Sequence, residues 1–128
     1  GRADLFRSAW IADYPSPETF LVLLYGKNVP GSLDQPSFPN VTRYINSQYD
    51  EFFEKGKQTL NEEERYEYFY KAEQIAMNDA PIMVIWYDEK YTLQKSYLQG
   101  YYSNPMNLRY FADSYLKTPI PEEKTAKK

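Results

Sequence analysis

The chain has 128 residues, carries a net charge of −3 and contains neither cysteine nor histidine. An acidic balance is the opposite of the basic surface that neutralises nucleic-acid phosphates, so we expect no nucleic-acid partner. Without thiols or imidazoles the chain cannot form the usual zinc sites or a Ser-His-Asp triad, and we expect neither enzymatic activity nor a bound metal or cofactor. Its hydrophobic residues, 42% of the total, are enough for the core of one ordinary domain.

The apolar residues between positions 5 and 12 predict a short strand, which ends at the rigid turn Tyr14-Pro15-Ser16-Pro17. Ser16 is a suitable cap for a short helix that begins at Pro17. The side chains expected on the buried side of this helix are Phe20, Leu21, Leu23 and Leu24. Residues 26–46 are rich in glycine and proline, which predicts a long loop.

Two amphipathic helices are predicted next, at residues 49–60 and 62–77. Ser47 and Asn61 each stand three residues before an acidic side chain, which is the capping-box spacing. Because the link between the helices is short, they should pack as an antiparallel pair. The side chains expected in the interface are Phe52, Phe53, Phe69 and Ile75, with Leu60 closing it.

The last third of the chain has the composition of short strands. Residues 81–87 are a continuous apolar run behind a proline, which is typical of a strand buried on both faces. Residues 91–93 should extend the sheet, Gly100 marks a turn, and residues 108–111 predict the last strand. The fold class is therefore α/β, with the antiparallel helix pair against a small mixed sheet. Residues 118–128 predict a disordered tail after a unit that spans residues 1–117.

Asp13 is the most informative polar residue, because it stands between the first predicted strand and the Pro-x-Pro turn. A carboxylate held there can receive a cation, such as an amino terminus, through charge-assisted hydrogen bonds. The alternative is that Asp13 caps the turn by bonding its own backbone. Trp10 has two interpretations as well, since it suits either the wall of a ligand pocket or the core.

Three stretches, in chain order, resemble family 5 of the bacterial extracellular solute-binding proteins, the oligopeptide- and dipeptide-binding group. Residues 10–17 are similar to the family's Trp-x-Ala-Asp-Tyr-x-x-Pro segment, and Phe20-Leu21 follows it. Residues 43–73 are similar to its paired helices. Residues 79–105, from Asp-Ala-Pro-Ile-Met to Asn-Pro, resemble its late strand and closing turn.

The resemblance implies a fold and a function. The chain would be the C-terminal portion of a two-lobed (type II) periplasmic binding protein. Residues 108–117 of this chain would return toward the N-terminal lobe of that protein. Such proteins capture peptides between the lobes and deliver them to the membrane permease of an ABC transporter. The location would be periplasmic or extracellular, with a lipid anchor on an N-terminal segment upstream of Gly1, where the chain begins abruptly.

The resemblance also implies ligand-binding residues. In peptide-binding relatives the acid matching Asp13 pairs with the α-amino group of the peptide. The backbone around Ala9 and Ile11 bonds the extended peptide as an added strand. A tyrosine that contacts ligand in some relatives falls near Tyr87 or Asp88.

Some alternatives stay open. Within the family the ligand can instead be nickel, a sugar or an opine. Outside it, the chain would be an independent small α/β module that binds a protein partner through its 14 tyrosines. A fragment lacking the remainder of the binding protein should bind peptide poorly. It should also expose Trp10 and residues 82–87, and self-associate into a dimer through that apolar surface.

Overall fold

The computed structural model describes residues 5–117. The chain divides into two compact units, Gly1–Ile85 and Trp86–Lys128. Among the described residues, the first unit holds three α-helices and the second holds four short strands. No helix in the described part of the chain is both long and apolar enough to span a bilayer. The predicted tail at residues 118–128 lies outside the described residues.

The first helix, α1 (Glu18–Leu21), is one turn long and begins where the sequence predicts. The Ser16 hydroxyl accepts a hydrogen bond from the Glu18 amide at 3.3 Å. Leu21 and Leu24 are buried as expected, but Phe20 is 48% exposed. Phe20 points outward because the chain tightens into a 3₁₀ turn at Val22–Leu24, and residues three apart then share one face.

The predicted helix pair is confirmed as α2 (Ser47–Gln58) and α3 (Glu62–Asp79). The helices pack against each other across a link of residues 59–61, which makes them an antiparallel hairpin. The Asn61 side chain caps α3 by accepting from the Glu64 amide at 3.0 Å. The cap of α2 is Asn46 rather than Ser47, because the Asn46 carboxamide accepts from two amides of the first turn.

The core lies between α1, α2 and α3 and is largely aromatic. Phe53 and Phe69 are buried as predicted, with their ring centroids 6.1 Å apart. Phe52 and Ile75 are half-buried at its edge. The prediction for Leu60 is wrong, because this side chain is 96% exposed. Helix α2 ends at Gln58 and the backbone then becomes extended, so Leu60 leaves the helical periodicity that would have placed it in the interface.

The long loop before α2 is held by the hydrogen bonds of a buried side chain. Asn40 is fully buried, and its amide nitrogen donates to the carbonyls of Tyr25 at 3.1 Å and Tyr44 at 2.8 Å. Its side-chain oxygen accepts from the Tyr44 amide at 3.2 Å and from the Thr42 hydroxyl at 2.9 Å. At the other end of the loop, the Gly26 amide donates to Asp50 of α2 at 2.8 Å. These bonds hold the predicted loop in one conformation.

Three predicted strands do not form among the described residues: those at 5–12, 81–87 and 91–93. In the second of them, exposure runs from 39% at Ile82 to 90% at Tyr87. An apolar run becomes a buried strand only where neighbouring strands pair with both of its edges and other layers cover its faces. The described part of the chain provides no such strands. The expected exposure of residues 82–87 is confirmed, whereas Trp10, which was expected to be exposed as well, is half-buried.

The strands of the second unit form two small antiparallel sheets, nested in the chain as one irregular hairpin, rather than a mixed sheet. The outer pair is β1 (Leu98–Gln99) with β4 (Tyr115–Leu116), and the inner pair is β2 (Tyr102–Ser103) with β3 (Arg109–Tyr110); both are antiparallel. The strand predicted at 108–111 is thus present in its central two residues. Between the two strand pairs, residues 100–101 lie opposite residues 111–114. The connection from β3 to β4 therefore has two more residues than the connection from β1 to β2, which makes a bulge.

Gly100 makes this bulge possible. Its φ is +72°, and a Cβ at this position would lie 2.0 Å from the carbonyl oxygen of Asp113. A side chain is therefore excluded on both conformational and steric grounds.

Candidate functional site

The Asp13 carboxylate is exposed and follows a segment, residues 5–12, that has no regular secondary structure. Its backbone amide donates to the Thr19 hydroxyl at 3.3 Å, whereas its carboxylate has no hydrogen-bond partner among the described residues. The turn that follows is closed instead by the Ser16 amide, which donates to the Tyr14 carbonyl at 2.8 Å. The carboxylate is thus held by its backbone and left open toward solvent.

Trp10 lies beside Asp13 and is half-buried. Its indole nitrogen donates to the Thr19 hydroxyl at 3.4 Å, and its ring is tilted against Phe38 with a centroid distance of 6.3 Å. The side chain is neither a core residue nor a free surface residue, which suits a wall that a ligand can cover.

The backbone of residues 9–11 makes no backbone hydrogen bond to another described residue. The side chains of Ala9 and Ile11 are exposed, the latter by 54%. Backbone amides and carbonyls that are left open in this way can pair with an added peptide as a neighbouring strand would.

Thr19 is the residue that brings Trp10 and Asp13 together, and reasoning from the sequence missed it. It lies in α1, is 1% exposed and accepts from both residues through one hydroxyl oxygen. No helical spacing in the sequence marks Thr19, because it stands two residues before the buried Leu21 and positions two apart do not share a helix face.

The surroundings of Asp13 are acidic. The pKa of Tyr14 is raised above its ordinary value, first by partial burial, then by the Glu18 carboxylate and its hydrogen bond, and last by Asp13. The Lys57 ammonium nitrogen lies 3.7 Å from a carboxylate oxygen of Glu18 and pairs with it. Two carboxylates around one tyrosine favour a cationic group on a ligand.

Tyr87 lies in the second compact unit and is 90% exposed. No hydrogen bond is assigned to its hydroxyl in the described part of the chain. Within the same part, no group of three or more acidic side chains is arranged to hold a metal ion.

Comparison with known proteins finds relatives that are named as binding proteins. The chain is 30% identical over 117 residues to the periplasmic murein peptide-binding protein MppA of Escherichia coli, which is 91% of this chain and 20% of that protein. It is 25% identical over 100 residues to the dipeptide-binding protein DppE of Bacillus subtilis, which is 78% of this chain and 17% of that protein.

A third relative is named for a different ligand. The chain is 29% identical over 114 residues to the "Probable deoxycholate-binding periplasmic protein YgiS" of Escherichia coli, which is 88% of this chain and 20% of that protein. The chain thus spans about a fifth of the length of the relatives it matches. No protein-family model matches it. No solved structure gives a significant match.

Proposed function

Because this chain is a relative of the family 5 bacterial extracellular solute-binding proteins, we propose that it supplies one wall of the ligand cleft in a peptide receptor. The remainder of the receptor, including the other lobe of a type II binding protein, would supply the opposite wall. The receptor would work in the periplasm and pass its ligand to the permease of an ABC transporter. On this proposal the chain carries no catalytic residue and needs no cofactor.

The observation that carries the proposal is the open carboxylate of Asp13 at the end of a segment with open backbone groups. A peptide offers what both features need, namely a protonated α-amino group and an extended backbone. Residues 9–11 would pair with the peptide backbone, and Asp13 would bind the ammonium group. Trp10 would cover an apolar part of the ligand, and Tyr87 is a further proposed contact.

The same carboxylate argues against a bile acid. Deoxycholate, for which one relative is named, carries its own negative charge and no cation. Placing two carboxylates together in a closed cleft costs free energy, so a receptor for such a ligand gains nothing from Asp13. Peptide ligands are also the ones for which MppA and DppE are named.

An independent interaction module is the second proposal, and one observation bears on it. The apolar side chains of residues 82–87 are exposed, as a docking surface would be. A receptor explains this exposure equally well, because its remaining parts would cover the run. By itself the chain should self-associate through this surface.

Calorimetry on the full-length receptor tests the proposal. The ligands are an oligopeptide with a free amino terminus, the same peptide with an acetylated amino terminus, and deoxycholate. We expect the free peptide to bind tightly and acetylation to cost roughly 2–5 kcal/mol, the range for breaking a buried charged pair. Tight binding of deoxycholate with no binding of peptide would contradict the proposal.

A further inference from the structure

The segment that carries Trp10 and Asp13 is fixed by bonds to α1 rather than by a sheet. The Asp13 amide and the Trp10 indole nitrogen, three residues apart in the chain, both donate to Thr19 Oγ1, at 3.3 and 3.4 Å. Thr19 belongs to α1, which ends at the buried Leu21 and is followed by the 3₁₀ turn whose Leu24 is also buried in the core. One hydroxyl thus connects the segment to the packed part of the molecule.

The chemistry of this contact depends on the hydroxyl group. A threonine oxygen has two lone pairs, and these two donors use both of them. Thr19 is 1% exposed, so water has little room to replace a lost bond. Both distances are near the long end of the hydrogen-bond range, so each bond is individually weak and the pair is needed to hold the segment.

We infer that Thr19 is a positioning residue for ligand binding, which sets the place of the Asp13 carboxylate through the Asp13 amide and the place of the Trp10 ring through its indole nitrogen. The inference rests on the proposed function, because it assigns Thr19 a part in binding the ligand's ammonium group. Thr19 itself is buried and does not touch the ligand.

The test uses the full-length receptor with three substitutions. Thr19→Val keeps the shape of the side chain and removes both bonds, and Thr19→Ser keeps the hydroxyl. Thr59→Val is the matched control, because it removes a hydroxyl that bonds the Lys55 carbonyl at the end of α2, outside the site. Calorimetry measures a free-amine peptide and its N-acetylated form on each protein, and thermal unfolding verifies that each protein is folded.

Thr19→Val should weaken binding of the free peptide about tenfold, as expected for two lost hydrogen bonds, while the acetylated peptide, which can lose only its contact with the Trp10 ring, should be weakened less. Thr19→Ser should restore binding to within about twofold of wild type, and Thr59→Val should leave it unchanged. If Thr19→Val does not fold, Trp10→Phe removes only the indole donor and should lower the preference for the free peptide by about threefold.

The inference would be overturned if Thr19→Val kept the wild-type preference for the free peptide over the acetylated one, whether both affinities fell equally or neither changed. A Trp10→Phe protein that keeps the full preference would overturn it too. A wild-type receptor that binds both peptides equally would instead overturn the proposed role of Asp13, so the two failures are distinguishable.

Discussion

Gly56 should resist replacement by alanine even though it lies inside a helix. It stands in α2 opposite the ring of Phe69 in α3, and a Cβ at this position would be 2.5 Å from two of the ring carbons. The Phe69 side chain is 2% exposed and packs against Phe53, so its ring has little room to withdraw. The glycine therefore sets how closely the two helices approach.

Two effects oppose each other in Gly56→Ala. Alanine is favoured over glycine in a helix by about 1 kcal/mol. Overpacking a core typically costs about 1–3 kcal/mol, and a contact this short involves ring carbons that neighbours hold in place. We therefore expect the free energy of unfolding to fall by about 1 kcal/mol, with the clash outweighing the helix propensity.

Urea denaturation followed by helical circular dichroism measures this change. Gly31→Ala is the matched control, because no atom lies within 4 Å of its Cβ position, and it should change stability by less than about 0.5 kcal/mol. In a Phe69→Leu background, where the ring is gone, Gly56→Ala should become neutral or stabilising. A gain of about 1 kcal/mol in the wild-type background would refute the close approach of the helices.

Two further predictions concern the hydrogen bonds that hold the first unit. Asn40→Ala removes a fully buried amide with four hydrogen bonds and should lower the free energy of unfolding by about 2–4 kcal/mol. The control is Asn78→Ala on the surface, which should lower it by less than about 0.5 kcal/mol. Equal losses for the two variants in urea denaturation would contradict this prediction. The pKa of Asp79 is lowered by hydrogen bonds from Tyr44 and Asn46. The ionised carboxylate therefore stabilises the fold fully above the ordinary aspartate pKa of about 4. This contribution is lost as the pH falls through the lowered pKa. Asp79→Asn should therefore be less stable than wild type at pH 7 and approach it in acid, and a constant difference from neutral to acidic pH would contradict this.

Local signals in the sequence predicted the helix pair well. Asn61 caps α3 as its spacing with Glu64 indicates, and Phe53 and Phe69 face the core as the helical period requires. These features depend on residues three or four positions apart, which a sequence shows directly. Leu60 was misplaced because the same period was extended two residues past the end of α2.

Features that depend on distant residues could not be predicted in the same way. The apolar run at 81–87 has the composition of a buried strand, but strands are stabilised by partners, and the described residues provide none. Thr19 was missed for a related reason, because its two donors lie six and nine positions away. The sequence identified Asp13 as a candidate anchor but not the side chain that holds it.

The central claim is that Asp13 binds the ammonium group of a peptide, and a double-mutant cycle tests it most directly. The four measurements are calorimetric titrations of the wild-type receptor and Asp13→Asn with a free peptide and with its N-acetylated form. The asparagine keeps the size of the side chain and part of its hydrogen bonding while removing its charge. Asp34→Asn, in an exposed loop, is the control for a general loss of negative charge.

Each single change should weaken binding by roughly 2–5 kcal/mol, because each removes one partner of a desolvated charged pair. Acetylating the peptide should then cost the Asp13→Asn receptor much less than it costs the wild type, since the shared interaction is already lost. Losses that simply add would contradict the claim and leave Asp13 as a residue of the turn alone.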